Sequence, residues 1–406
     1  MNRQPYTLPS RRWSPKLQPR VVRWSRRLRQ RTLKHSQQLV AIESLGLERL
    51  TAAVRDGQGV LLVANHAAHY DWAALYSVAD RVHQPLYFLT AWQVFAMSNR
   101  FHRWLMPRIG CFSIDREGAD RGAFRRSVRV LCNESHPLVV FPEGEVYHVN
   151  DRVTPFREGA AAIARSAARR SARPIVALPC AIKFWYVDDP TASLLKMMER
   201  FEQRFGIRPP AGAPLVDRVY VLGEVLLSIK EEYYLGETDG GSVRERIAHL
   251  TESILSRLEH RHLGLTVTNV ASLDTLARVQ LLRRKVIASR QGESDVYRLQ
   301  SLDREMDDLF FVVQLFSYPG NYLRQNPTIE RLAETIDKLE EDIFGVEVPT
   351  VHGRRRVIVS FGEPIPVSDD RKHLPSNGQL TQQCAESVQD LLDQLNAERP
   401  QQLASC

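Results

Sequence analysis

Val60-Leu-Leu-Val-Ala-Asn-His-Ala-Ala-His-Tyr-Asp-Trp72 is the stretch on which the reading of this chain turns. Its first four residues are a short apolar run of the kind that makes a buried strand, and Trp72-Ala-Ala-Leu-Tyr76 reads as the first turns of a helix. The residues between stand at a strand-to-helix corner, and His66 and Asp71 are among them. Five residues apart, they would lie about 140° apart around one continuous helix, so they cannot share a helical face. If the helix begins after His66, the imidazole folds back over the first turn. Asp71 then accepts a hydrogen bond from one ring nitrogen while the other faces a substrate, which is a base with its orienter. On these residues alone, local packing of His66 beside a solvated Asp71 fits equally well.

Three further stretches follow in order: Gly110-Cys-Phe-Ser-Ile-Asp-Arg116, Val139-Val-Phe-Pro-Glu-Gly144 and Pro174-Ile-Val-Ala-Leu-Pro179. With Asn65-His-x-x-x-x-Asp71 they resemble the four sequence blocks of the glycerolipid (lysophospholipid) acyltransferase superfamily, the group containing 1-acylglycerol-3-phosphate acyltransferases. The resemblance runs from about Val40 to Lys183 and resumes at Val357–Ile365. It implies an α/β fold, with a central mostly parallel sheet flanked by helices, carrying a helical insertion. It also implies an acyltransferase of phospholipid biosynthesis that moves a fatty acyl group from acyl-CoA or acyl carrier protein to a hydroxyl of a lyso-glycerolipid, 1-acylglycerol-3-phosphate first among acceptors. His66 would be the general base and Asp71 its orienter. Arg116 would bind phosphate through its planar guanidinium, and Glu143 would contact the glycerol or its phosphate-bearing end. Gly144 lets the backbone approach a ligand, and backbone donors of that turn are candidates for an oxyanion site. No metal and no cofactor beyond the thioester co-substrate is expected.

The chain departs from the family pattern after Gly144. Members commonly continue Thr-Arg-Ser, whereas Glu145-Val-Tyr147 stands here. A phosphate-binding Arg is thereby lost and a carboxylate that would repel phosphate is gained, which leaves Arg152 or Arg157 to supply the charge. A different lyso-lipid, an amine-headed acceptor or a glycan lipid therefore stays open. Two other classes compete: a metal hydrolase using His66, His69 and Asp71, and a catalytically inactive membrane-surface adaptor of the same fold.

The 406 residues carry a formal charge of +8, but residues 1–34 hold eleven Lys or Arg and no acid, so the remaining 372 sum to −3. The basic character belongs to the N-terminal arm, residues 1–38. Met1–Pro19 reads as extended; from Arg20 a helix is expected with Val21, Trp24, Leu28 and Thr32 on one side and arginines, Arg29 among them, on the rest. Such an arm can lie on an anionic membrane through residues 20–34, or be a transit peptide, a nucleic-acid contact or a solvated arm. Beside the family resemblance, membrane contact is the favoured reading, and no nucleic-acid partner is expected. Five scattered cysteines without a C-x-x-C pair suggest a reducing compartment, and no apolar run is long enough to span a bilayer. A cytoplasmic protein peripheral to the membrane is the resulting expectation.

The expected organisation is an acyltransferase core over 39–235, a helical insertion over 236–350, a late core strand within 351–370 and a C-terminal helix and tail over 371–406. Ala91–Leu105 reads as one helix with an aromatic stripe; core packing is the favoured reading of that stripe, and part of its surface facing lipid or the acyl chain is the alternative. Arg218–Leu222 and Val357–Ile365 both qualify as the late strand, the second matching better.

Overall fold

The computed structural model describes residues 10–118, 120–264, 273–368 and 375–398. The expectations for Met1–Pro9 and for the frayed C-terminal end fall outside them. The described residues of 10–190 and 348–398 form one compact unit and those of 191–347 another.

The first unit is built on one eight-stranded sheet: β1 (Leu39–Leu45), β2 (Gly59–Ala64), β3 (Tyr87–Ala91), β4 (Cys111–Ile114), β5 (Leu138–Val140), β6 (Ile175–Tyr186), β7 (Arg355–Phe361) and β8 (Ile365–Val367). The order is β1-β7-β6-β2-β5-β3-β4, and β8 pairs with β6. From β6 to β4 every neighbour is parallel. Only β7 and β8 run antiparallel to β6, with β1 parallel to β7. Every residue of β2 and of β6 is buried, as parallel strands covered on both faces require. The sheet is the mostly parallel one that the sequence led us to expect, and Val357–Phe361 is its late strand.

Around it pack α1 (Pro19–His35), α2 (Leu47–Arg55), α3 (Asp71–Ala79), α4 (Trp92–Met97), α5 (Arg100–Arg108), α6 (Arg121–Asn133) and α7 (Gly159–Ala168). The single helix expected over Ala91–Leu105 is two. Ser98 is extended, and the Asn99 side chain accepts from His102 N–H to start α5 afresh, the job of an N-cap. The phase expected for α1 is also corrected. Val22, Ser25, Arg29 and Leu33 face inward, whereas Trp24 is 61% exposed. The cause is Asp80, a buried carboxylate after α3. Arg29 grips both its oxygens at 2.9 and 2.8 Å and lies 4.3 Å over the Tyr76 ring. A buried acid without its cation costs several kcal/mol, roughly 3–5 when one partner is removed, and that need overrides the apolar stripe.

The second unit consists of α8 (Thr191–Phe205), α9 (Leu215–Leu235), α10 (Val243–Leu263), α11 (Thr275–Arg290), α12 (Val296–Phe316), α13 (Tyr322–Gln325) and α14 (Ile329–Phe344). Buried ion pairs join its helices, such as Arg246 to Glu231 at 2.9 and 2.6 Å and Arg218 to Glu202 at 2.7 and 2.6 Å. The helical unit therefore begins at 191 and not at 236. The strand expected at Arg218–Leu222 lies inside α9, where Val219 and Leu222 are the buried positions of one helical face. A short apolar run followed by Gly223 is ambiguous by periodicity, and here the glycine sits mid-helix. The last helix, α15 (Asn377–Ala397), returns to the first unit and packs on β6 and α7.

Candidate active site

Because β2, β5, β3 and β4 are parallel neighbours, the loops leaving their carboxyl ends emerge along one edge of the sheet, where open α/β sheets place their ligands. That edge collects His66 after β2, Pro142–Gly144 after β5, Trp92 after β3 and Arg116 after β4.

The corner itself has the geometry the spacing suggested. α3 starts at Asp71, so the chain from Ala64 to Tyr70 is free to double back. His66 Nδ1 lies 2.9 Å from Asp71 Oδ2, and the same oxygen accepts from Ala68 N–H at 2.9 Å. Asp71 is fully buried, while a fifth of the His66 side chain is exposed. The ring stacks on Phe141, centroids 4.4 Å apart and planes 22° apart. With Nδ1 turned to Asp71, the solvent-facing nitrogen is Nε2.

The sequence did not reveal what holds this corner. Past the end of β2, the Asn65 side chain takes over as a strand partner of β6. It donates to Ile182 O at 3.0 Å and accepts from Ile182 N–H at 2.7 Å. Two residues further along β6, Asn150 repeats the device on Phe184, at 2.7 and 2.9 Å. Between them the buried Lys183 ammonium bonds the Asp151 carboxylate. Asn65 stood inside the motif without a role assigned; nothing local marks Asn150 or Asp151, whose partners lie more than thirty residues away.

Glu143 is placed differently from the role the resemblance implied. It is 2% exposed. One carboxylate oxygen accepts from His66 N–H at 2.7 Å, and the other accepts from the Thr154 N–H at 3.3 Å and from its hydroxyl. Its oxygens thus face the protein's own main chain. Burial pushes Glu143 up to about 7, although the Thr154 hydroxyl, the His66 N–H and the imidazole all pull it down. Gly144, at φ +82°, donates its N–H to Phe141 O at 3.1 Å, so that one donor of the turn is already engaged.

Two guanidiniums converge on Gly144. Arg116 donates to its carbonyl oxygen, and the Arg157 side chain lies so close that a Cβ on residue 144 would fall 2.8 Å from Arg157 Nε. The positive φ favours glycine here, and a side chain at this position would also push the Arg157 guanidinium aside. Glu145 and Tyr147 are buried in the same neighbourhood. The Tyr147 phenol is held well above its ordinary range by burial and then by Glu145, with Arg157 and Arg116 acting against them. The cluster therefore mixes two cations with an added carboxylate.

The four cysteines among the described residues are free. Burial pushes the Cys111 and Cys384 thiols up to about 12, and those of Cys180 and Cys132 are raised as well, so none is poised as a thiolate nucleophile.

Residues 42–183, the span from β1 through most of β6, match the family model described as Acyltransferase. No curated protein matches the chain. A mostly parallel sheet with a His66–Asp71 corner at its carboxyl edge, coincident with that match, makes residues 42–183 an acyltransferase domain of the glycerolipid and lysophospholipid acyltransferase family, and the chain an O-acyltransferase.

Proposed function

We propose that the chain moves a fatty acyl group from acyl-CoA or acyl carrier protein to a hydroxyl of a lyso-glycerolipid, with 1-acylglycerol-3-phosphate the leading acceptor. The observation that carries this reading is the His66 imidazole, bonded to Asp71 through Nδ1 and a fifth exposed, with its main-chain N–H held by Glu143, the residue next to the Gly144 on which Arg116 and Arg157 converge. His66 Nε2 removes the acceptor's hydroxyl proton as the oxygen attacks the thioester carbonyl. The C–S bond breaks and the proton passes to the leaving thiolate. Asp71 holds the tautomer and stabilises the imidazolium. Base catalysis of this kind contributes about 10²–10⁴-fold. Arg116 and Arg157 attract the acceptor's phosphate, while Glu143 serves to hold the His66 main chain. The donor is already a thioester, so no acyl-enzyme is required.

Glu145 favours a second reading of the acceptor. A buried carboxylate beside Arg116 and Arg157 opposes a phosphate dianion more than a phosphodiester monoanion or a headgroup bearing an amine. Incubation with a panel of lyso-lipids and both thioester carriers, read by mass spectrometry, separates the two. Selective acylation of 1-acylglycerol-3-phosphate supports the first reading, and selective acylation of an amine-headed lyso-lipid the second. No acyl transfer to any lyso-lipid contradicts both. Residues 20–34 are proposed to touch an anionic membrane surface, a reading supported by the outward Trp24 and Leu28 among exposed arginines. Among the described residues no helix is long and apolar enough to cross a membrane.

A further inference from the structure

The aromatic stripe of α4 and α5 does not pack wholly in the core. Trp92, Phe95 and Leu105 are buried, but Val94, Met97, Phe101 and Trp104 are 40–45% exposed. Phe101 stacks on Trp104 with centroids 6.1 Å apart, and Arg108 covers the Trp104 ring at 4.4 Å. Four large apolar groups standing out together on two short helices are unusual for a surface meant to face water alone.

The stretch of chain that carries them bears charge of one sign. No Asp or Glu occurs from Arg81 to Ile114, nor from Met1 to Ile42. These two acid-free stretches are fastened together. Trp13 stacks on Phe95 at 5.0 Å, and Lys16 and Gln18 donate their N–H groups to Pro107 O and Arg108 O at 2.9 Å each, just before α1 begins. α4 also starts at the carboxyl end of β3, on the sheet edge that carries His66.

We propose that the outer face of α4–α5 is the part of the protein that inserts into the headgroup region of an anionic bilayer, with Phe101 and Trp104 as its anchors and α1 as a flanking basic contact. Aromatic rings on an apolar face whose own helices carry Arg100, Arg103 and Arg108 and no acid match that interface in both chemistry and charge. The surface lets a single-chain lipid reach the site laterally from the membrane. This purpose rests on the lyso-lipid reading, but the binding does not.

The test is co-sedimentation of the full chain with phosphatidylcholine vesicles with and without phosphatidylglycerol, comparing wild type with the Phe101→Ser/Trp104→Ser double variant. Circular dichroism confirms the variant's fold, and turnover is measured on a short-chain lyso-lipid below its micellar concentration. Wild type should partition onto the anionic vesicles in a salt-sensitive way. The variant should bind about tenfold or more weakly while keeping its turnover of the soluble substrate. Unchanged vesicle binding by the variant overturns the proposal. So does a wild type that ignores vesicles and forms a dimer that the substitutions dissolve, since the face would then belong to a second copy. Vesicle binding that depends on Phe101 and Trp104 in a protein that acylates no lyso-lipid leaves this inference standing and removes the proposed acceptor class instead.

Discussion

Replacing Asp71 by Asn probes the site most finely, because it changes one atom and the structure says what each orientation of the amide would do. Asp71 Oδ2 receives two donors, His66 Nδ1–H and Ala68 N–H, both at 2.9 Å, while Oδ1 is buried without a hydrogen-bond partner. If the amide oxygen takes the Oδ2 position, both donors remain satisfied. The NH₂ group is then buried with nothing to accept from it, at a cost of roughly 1–3 kcal/mol, and the charge that stabilises the imidazolium is gone. If the amide turns over, its NH₂ meets the Ala68 N–H and forces His66 to accept at Nδ1, which leaves the proton on Nε2 and disables the base. Both orientations forfeit most of the ~10²–10⁴-fold contribution of a positioned base, equivalent to about 3–5 kcal/mol of barrier. Free thiol released from the acyl thioester, followed with a chromogenic disulfide reagent, should show kcat reduced about a thousandfold, with the thioester KM within about twofold. A thermal melt should place the variant about 1–4 °C below wild type for that loss of roughly 1–3 kcal/mol, given an unfolding entropy of about 2.1 cal/mol/K per residue over 406 residues. A folded Asp71→Asn protein that keeps more than about a tenth of wild-type kcat would refute the assignment of Asp71 as orienter.

Three further outcomes follow from the same geometry. Glu143 binds its proton more readily folded than unfolded, so its stability contribution is complete below about 4.5 and lost as pH rises through about 7. Melting curves of Glu143→Gln, which cannot titrate, should therefore gain on wild type across that window, and a constant offset between the two would contradict the buried, protonatable carboxyl. Asn65→Ala strips both partners from Ile182, at roughly 1–3 kcal/mol per orphaned group. Denaturant unfolding should register that loss together with a lowered kcat, and full activity with a native midpoint would show that the corner is held by something else. Arg29→Met should destabilise by about 3–5 kcal/mol by stranding the Asp80 carboxylate, whereas Arg29→Met/Asp80→Leu should recover most of it. Equal losses in the single and double variants would mean that the pair is not coupled.

The strands and most helices of the first unit were legible because they are short apolar runs bounded by turns, or long segments with helical spacing. The His66–Asp71 contact was legible for a local reason, since five residues and one helix start determine it. What failed had non-local causes. The stripe of α1 is turned by Asp80, fifty-one residues from Arg29. The region of Arg218 is helical because its apolar positions face other helices. Glu143 looks inward because it meets Thr154 and the His66 main chain, neither of which a Pro-Glu-Gly turn announces. Asn65 and Asn150 act on a strand about 117 and 34 residues away, and only an asparagine left at a strand's end hints at such a bond.

The central claim is that the exposed nitrogen of His66 takes the acceptor's proton, and the most direct measurement is single-turnover acyl transfer by His66→Ala, with the acylated lipid quantified by mass spectrometry. A folded variant whose transfer rate falls by about a hundredfold or more, with thioester binding retained, is the predicted result. Transfer at the wild-type rate would contradict it.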